Sequence, residues 1–171
     1  YENCFGHIVS HTTRKPRLGE VNNKDYYFIE SEQMISLIKE DKFIEYAHVH
    51  GNYYGTSKSA LQFTQNQGKI CVLDIDVQGC ERVKLQNIPS VYIFISPPDI
   101  NTLKNRLQTR STESEDSIKL RLENAQKEME YTNIPNFFDK IIVNDNLDIA
   151  FEELKQFMGP YIEIQKNKGI P

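Results

Sequence analysis

Tryptophan is absent from this 171-residue sequence, cysteine occurs three times, and Lys plus Arg (20) fall short of Asp plus Glu (24). Each shortage excludes something. A net charge of −4 argues against broad electrostatic adhesion to nucleic acid or to an anionic membrane surface. Three cysteines cannot all pair with one another, and Cys71 sits inside an apolar run, where a small buried thiol is the expected role. A reducing, cytoplasmic setting follows. The strongest apolar runs, such as Val91 to Ile95, are far shorter than the roughly 20 residues of a membrane-spanning helix, and no basic-then-apolar leader opens the chain. Eight glycines and seven prolines with 39% hydrophobic and 26% charged residues exclude collagen-like, low-complexity and disordered chains and fit one soluble globular domain. An initiator Met is also lacking, since the sequence opens on Tyr1. The expectation is that something precedes it.

What is present is an alternation of strands and helices. Residues 69–76, 91–95 and 140–143 are short, nearly continuous apolar runs, and a weaker one spans 5–10. Continuous rather than alternating apolarity predicts strands covered on both faces, as in a parallel sheet. Between them, helical spacing predicts a helix entered through Ser31 as N-cap, one over 57–67 closed by Gly68, and others over 99–109, 115–131 and about 147–158. The pattern is that of βαβ units in a doubly wound sheet. The stretch 20–56, dense in Tyr, Gly and Asn, reads as an inserted subdomain with antiparallel strands joined around Gly51-Asn52.

Four clusters carry residue types suited to nucleotide chemistry. In Ser10-His11-Thr12-Thr13-Arg14-Lys15-Pro16-Arg17-Leu18-Gly19-Glu20, two arginines three apart present planar donor forks that match phosphate oxygens. A solvated basic loop is the alternative. His7 and His11 lack the spaced partners of a metal site and read as structural or surface residues. Glu45 interrupts an apolar strand, where a buried carboxylate needs donors. The adjacent ring N–H and amino group of guanine would supply them; adenine would not. An edge-strand surface Glu is the competing reading. Tyr26 and Tyr54 hydroxyls are suited to donate to phosphate. Asp74 and Asp76 end the best strand, where open α/β sheets bind ligands and where an Asp orients water on Mg²⁺, although Asp is also an ordinary helix cap. Arg106 and Arg110 share one helix face, and Arg121 lies on the next helix beyond a polar link. With Lys104 and Lys119 they suit a mobile lid over polyphosphate, or else a salt-bridged surface helix.

Taken together, these segments resemble the guanylate kinase family. Ser10-x-Thr12-Thr13-Arg14-x-Pro16-Arg17-x-Gly19-Glu20, Gly51-Asn52-Tyr53-Tyr54-Gly55-Thr56, Leu73-Asp74-Ile75-Asp76-x-Gln78-Gly79, Pro97-Pro98, Arg106-Leu107-x-x-Arg110-x-Thr112-Glu113 and Val143-Asn144-Asp145 occur in the family's order and spacing, over residues 1 to about 158. The resemblance implies an α/β fold with a parallel-sheet P-loop kinase core, an inserted GMP-binding subdomain and a helical lid. The implied divisions are 1–8 core, 9–60 GMP-binding subdomain, 61–101 core, 102–130 lid and 131–171 core. It implies phosphoryl transfer from ATP to GMP with Mg²⁺, in the cytoplasm, by a monomer or weak homo-oligomer without nucleic-acid or membrane partners. By position, Arg14, Arg17, Tyr26 and Tyr54 would hold the GMP phosphate, with Glu20 supporting that loop. Ser10, Glu45, Thr56 and Asp76 would read or orient guanine. Asp74 would hold Mg²⁺ through water. Arg106, Arg110, Asn144 and Asp145 would serve ATP, and Arg17, Arg110 and Arg121 would be the catalytic arginines.

One element of the family pattern is not found in the sequence. The Gly-x-x-x-x-Gly-Lys-Ser/Thr phosphate loop, which follows the family's first strand, has no match, and Gly68-Lys69 lacks the upstream Gly and the following hydroxyl. The expectation is that this loop and a central core strand lie upstream of Tyr1, and that the chain without them is inactive or nearly so, with apolar strand faces and edges exposed. The other reading is a guanylate-kinase-like interaction domain that binds phosphopeptides, but such domains tend to lose the lid arginines and parts of the base site. Another nucleoside monophosphate kinase is disfavoured by Glu45.

Overall fold

The computed structural model describes residues 1, 3–49, 51–109 and 115–167. The chain divides into two compact units, residues Tyr1–Ile88 with Tyr161–Pro171, and residues Pro89–Pro160.

In the first unit, β1 (Phe5–His7) pairs in parallel with β6 (Ile70–Val72), Gly6 opposite Cys71. Gly6 is required there: a Cβ would stand 2.4 Å from Thr64 Cγ2 of α2 (Lys58–Asn66), which packs across the pair. A second sheet has the order β3-β2-β5-β4, from β2 (His11–Thr12), β3 (Tyr27–Phe28), β4 (Phe43–Val49) and β5 (Asn52–Ser57). Its hairpin β4–β5 turns at Gly51, whose φ of +78° is a conformation that favours glycine. The antiparallel register sets Glu45 opposite Thr56. The helix α1 (Ser31–Lys39) buries Met34, and α3 (Val77–Leu85) buries Val77 and Val83. With Ile8, Phe43 and Ile44 these side chains form the unit's core.

The second unit holds a parallel pair, β7 (Ile93–Ser96) and β8 (Lys140–Val143), with α4 (Ile100–Thr109), α5 (Glu115–Glu130) and the start of α6 (Leu147–Asn167). Ile142, Leu107 and Ala150 are buried, and Phe94, Phe138 and Phe137 pack ring on ring at 5.0 and 4.8 Å.

Three expectations change. Ser31 is the first helical residue of α1, with Glu30 at the cap position making no side-chain cap bond. The strand expected over 69–76 pairs only over 70–72, leaving 73–76 as an extended approach to α3. The last helix runs to Asn167, through Pro160. Among the described residues β6 pairs only with β1, and β7 only with β8. Val72, Ile95 and Val143 stay exposed on these pairs. The continuous apolar runs therefore have one covered face here, not two.

Candidate functional site

The loop after β2 is built around a carboxylate. Glu20 accepts from Arg14 Nη2 at 2.8 Å and Nη1 at 2.9 Å, and from the Arg17 backbone N–H at 2.6 Å. Arg14 Nη1 also donates to the Lys15 carbonyl at 2.8 Å. These bonds hold the Glu20 carboxyl at about 2, against an ordinary 4.5, with the Arg14 hydrogen bond as the largest cause. Gly19 at φ +88° allows the chain to fold back onto this pair. The Arg14 guanidinium stands 5.4 Å from the Tyr26 ring centroid and 5.8 Å from that of Phe28. Tyr26 and Tyr54 meet edge to face at 6.0 Å, and the Tyr54 hydroxyl bonds Arg14. Burial raises the Tyr26 hydroxyl's pKa, to which the Tyr54 and Asp74 charges add, while Arg14 opposes them. Arg17 is exposed, as is Asp74. The Arg14 guanidinium and the Tyr26 and Tyr54 phenols are thus brought together, with Arg17 exposed on the same loop as Arg14.

A second, drier constellation lies on β4 and β5. Glu45 is 4% exposed and Thr56 0%. Thr56 Oγ1 is 3.0 Å from Ser10 Oγ. Burial raises the Glu45 carboxyl's pKa; the Thr56 hydroxyl and amide lower it, Asp76 raises it and Arg82 lowers it. Asp76 caps α3, accepting from the Gly79 N–H at 2.8 Å. It thus does the ordinary capping job and also faces Glu45. Beneath lies His11, stacked on Tyr27 at 4.7 Å and edge-on to Phe43 at 5.3 Å, with its Nδ1 buried and unpartnered. Burial lowers its basicity, against a Gly55 backbone hydrogen bond that raises it, and the ring packs in a structural role, one of the two readings expected of it.

The second unit contributes a separate cavity of about 240 Å³, walled by Ile95, Leu103 and Leu107 and edged by Arg106, Arg121 and Asn144. Arg106 holds the loop after β8, donating to the Asn144 carbonyl at 2.7 Å and to the Asp145 carbonyl at 3.2 Å. Arg106, Arg121 and Asn144 thus converge, with Asp145 beside them. Arg110 lies outside the described residues. Among the described residues no cluster of three or more His, Cys, Asp or Glu could hold a metal ion directly.

Sequence reasoning passed over Phe28, the buried Thr12 whose Oγ1 donates to the Tyr53 carbonyl at 3.0 Å, and Arg82 on α3. The Thr12-Thr13 pair stood inside a singled-out segment. Phe28 and Arg82 carried no local signal.

An α/β chain that gathers Arg14, Tyr26 and Tyr54, buries the Glu45 carboxylate and edges a separate cavity with arginines belongs, by the relatives it matches, with the nucleotide-handling kinases. The family model described as guanylate kinase matches residues 1–161. The chain is 45% identical over 169 residues to human "Guanylate kinase", covering 99% of itself and 86% of that protein. It is 44% identical over 159 residues to "Guanylate kinase 1" of Oryza sativa subsp. japonica, covering 93% of itself but 42% of that longer protein. Its fold is similar to the crystal structure of guanylate kinase from Anaplasma phagocytophilum, with a TM-score of 0.74 and 29% identity over 92% of this chain and 76% of that one. The chain belongs to the guanylate kinase family, with that family's P-loop-kinase α/β architecture and its place among the nucleoside monophosphate kinases.

Proposed function

We propose that this chain transfers the γ-phosphoryl group of ATP to GMP, giving ADP and GDP. The observation that carries the reading is Glu45: a carboxylate buried on a strand, with the Thr56 hydroxyl and amide as its donors, has about four lone-pair sites and so keeps room for further N–H donors. The Watson–Crick edge of guanine offers two, side by side. Thr56, Ser10 and Asp76 flank the same position. Arg14, Arg17, Tyr26 and Tyr54 take the GMP phosphate, and Glu20 sets the fork of Arg14.

Residues 9–60 act as the GMP-binding subdomain, residues 102–130 as the lid, and the rest as core. The cavity beside Arg106, Asn144 and Asp145 takes the adenine nucleotide. Arg17, Arg110 and Arg121 neutralise charge on the transferring group, a contribution worth about 10³–10⁵ in rate where one arginine does it. Mg²⁺ suits Asp74: the carboxylate is exposed and without a ligand cluster, so it would hold the ion through water, with phosphate oxygens completing the shell. The ion supplies charge neutralisation across the phosphates. The chain's own work is to orient the acceptor, exclude water and bring donors to the phosphate oxygens.

ADP release coupled to a colorimetric or absorbance readout, with GMP and AMP compared as acceptors on the full-length protein, tests this. GMP-dependent turnover is expected, and Arg17→Ala should lower it by orders of magnitude. Tight phosphopeptide binding without any GMP-dependent turnover would overturn the proposal.

A further inference from the structure

Glu45 is closed in by three elements. From β5, Thr56 bonds the carboxylate through its hydroxyl and amide. At the entrance to α3, Asp76 brings a second negative charge. From α3 itself, Gly79 makes room, since a Cβ there would stand 3.2 Å from Glu45 Oε2. From the neighbouring strand β2 and the residue before it come the ring of His11, its basicity lowered by burial, and the Ser10 hydroxyl, by way of Thr56. Burial and Asp76 both favour a proton on Glu45, and a protonated carboxyl presents an O–H where an acceptor is needed. Arg82 acts on Glu45 with the opposite sign to Asp76. Arg82 lies three residues beyond Gly79, on the same face of α3, and its guanidinium carbon sits 4.1 Å from the centroid of the Tyr46 ring. That distance is a close cation–π stack. It keeps a long, half-buried side chain against β4 instead of extended into solvent.

We propose that Arg82 is a positioning residue for base recognition: stacked on Tyr46 one turn of α3 beyond Gly79, it offsets the charge of Asp76 and keeps the Glu45 carboxylate an acceptor for both N–H donors of guanine. The inference rests on reading Glu45 as the guanine acceptor. Arg82 touches neither substrate nor reacting atoms; it acts through Glu45. Its removal therefore alters base recognition most where Glu45 is nearest to taking a proton, at the acid end of the pH range.

The test is calorimetric binding of GMP and IMP to the full chain from pH 5 to pH 8, for the wild type and for Arg82→Met, Arg82→Lys and Glu45→Gln, with the thermal unfolding of each. IMP has the ring N–H and lacks the amino group, so the ratio of the two affinities cancels the titration of the phosphate. Arg82→Met is expected to move the acid limb of the GMP-to-IMP ratio to higher pH, with about a tenfold loss on that limb for one unit of displacement. Near pH 8 the ratio should be almost unchanged, and Arg82→Lys should restore much of the wild-type limb. A loss of equal size at every pH, or a profile coincident with the wild type, would overturn the role of Arg82. Should Glu45→Gln leave the ratio untouched, the base-site reading itself falls; should it collapse the ratio while Arg82→Met does nothing, only the Arg82 inference falls. If Arg82→Met does not fold, Tyr46→Leu removes the stack and keeps the charge. It must then displace the same limb in the same direction, and an unmoved limb refutes the proposal.

Discussion

Replacing Glu20 with Gln removes a charge from the centre of the Arg14–Arg17 loop while keeping its shape. The side chain accepts three hydrogen bonds, two from Arg14 and one from the Arg17 backbone. A Gln can accept through one oxygen only, and its amide turns donors toward the Arg14 donors. The magnitude has an upper bound in the carboxyl's displacement from 4.5 to about 2, which at about 1.4 kcal/mol per unit comes to ~3 kcal/mol. The two side chains remain 16% and 19% exposed, so solvent screens part of this, and ~1–2 kcal/mol is the expected loss. For a chain of this size that is roughly 2–8 °C in Tm. Because the folded-state value is depressed, the contribution is complete above the unfolded value and is lost as pH falls through the folded one. Urea midpoints of the two proteins should therefore differ by a constant amount from pH 7 to about 5 and converge between about 4.5 and 2. A gap that persists unchanged at low pH, or no gap at pH 7, refutes the argument.

Two further substitutions test the remaining parts of the site. Gly79→Ala sets two effects against each other. Alanine within a helix gains about 1 kcal/mol over glycine, but here its Cβ would meet Ile75 Cβ at 3.0 Å and Glu45 Oε2 at 3.2 Å, and overpacking costs about 1–3 kcal/mol. A lower Tm together with weaker GMP binding is expected, and a more stable protein with unchanged GMP affinity would contradict the crowding at Glu45. Arg106→Met releases the Asn144 and Asp145 carbonyls from an exposed clamp, so stability should change by less than about 1 kcal/mol. Steady-state kinetics should show a raised KM for ATP with the KM for GMP unaltered; a rise confined to GMP would place Arg106 in the wrong site.

The parts legible in the sequence were those whose physics is local. The run 140–143 forms β8 to the residue, because a β-branched stretch has no competing periodicity. Gly68 follows the end of α2 at φ +69°, as residue type alone foretold, while Ser57, taken as the helix's first residue, instead caps it through a bond from the Ala60 N–H. Misjudged features depended on distant partners. The last helix is expected to end near 158, yet α6 continues, with Ile162 1% exposed in the first unit and Gln165 Nε2 donating to the Gly68 carbonyl at 3.0 Å. Residues 73–76 alternate Leu and Ile with Asp, a pattern a half-covered strand also shows, and only pairing, which sequence does not show, ends β6 at Val72. The site divides in the same way. Glu45 announces itself as a lone carboxylate in an apolar strand. Arg82 does not, since nothing in the chain links position 82 to position 46 until α3 packs on β4.

On the proposed reading, the two glutamates of the first unit explain how one subdomain would grip a phosphate and read a base. Phosphate demands cations whose orientation is fixed without being used up. Glu20 and the Lys15 carbonyl take three of the five N–H donors of Arg14, which orients the guanidinium and leaves two for the Tyr54 hydroxyl and an incoming oxyanion. The carboxylate that does this must stay charged at any pH the protein meets, and a value of about 2 ensures it. Base reading demands the opposite environment. A direct Arg partner at Glu45 would occupy the lone pairs that guanine must meet, so the acceptor is set among hydroxyls in a dry site where its pKa rises. Such a site tends toward protonation, and a positive charge held near the carboxylate but not bonded to it counters that tendency. A guanidinium parked on an aromatic ring one residue away meets that requirement without competing for the base.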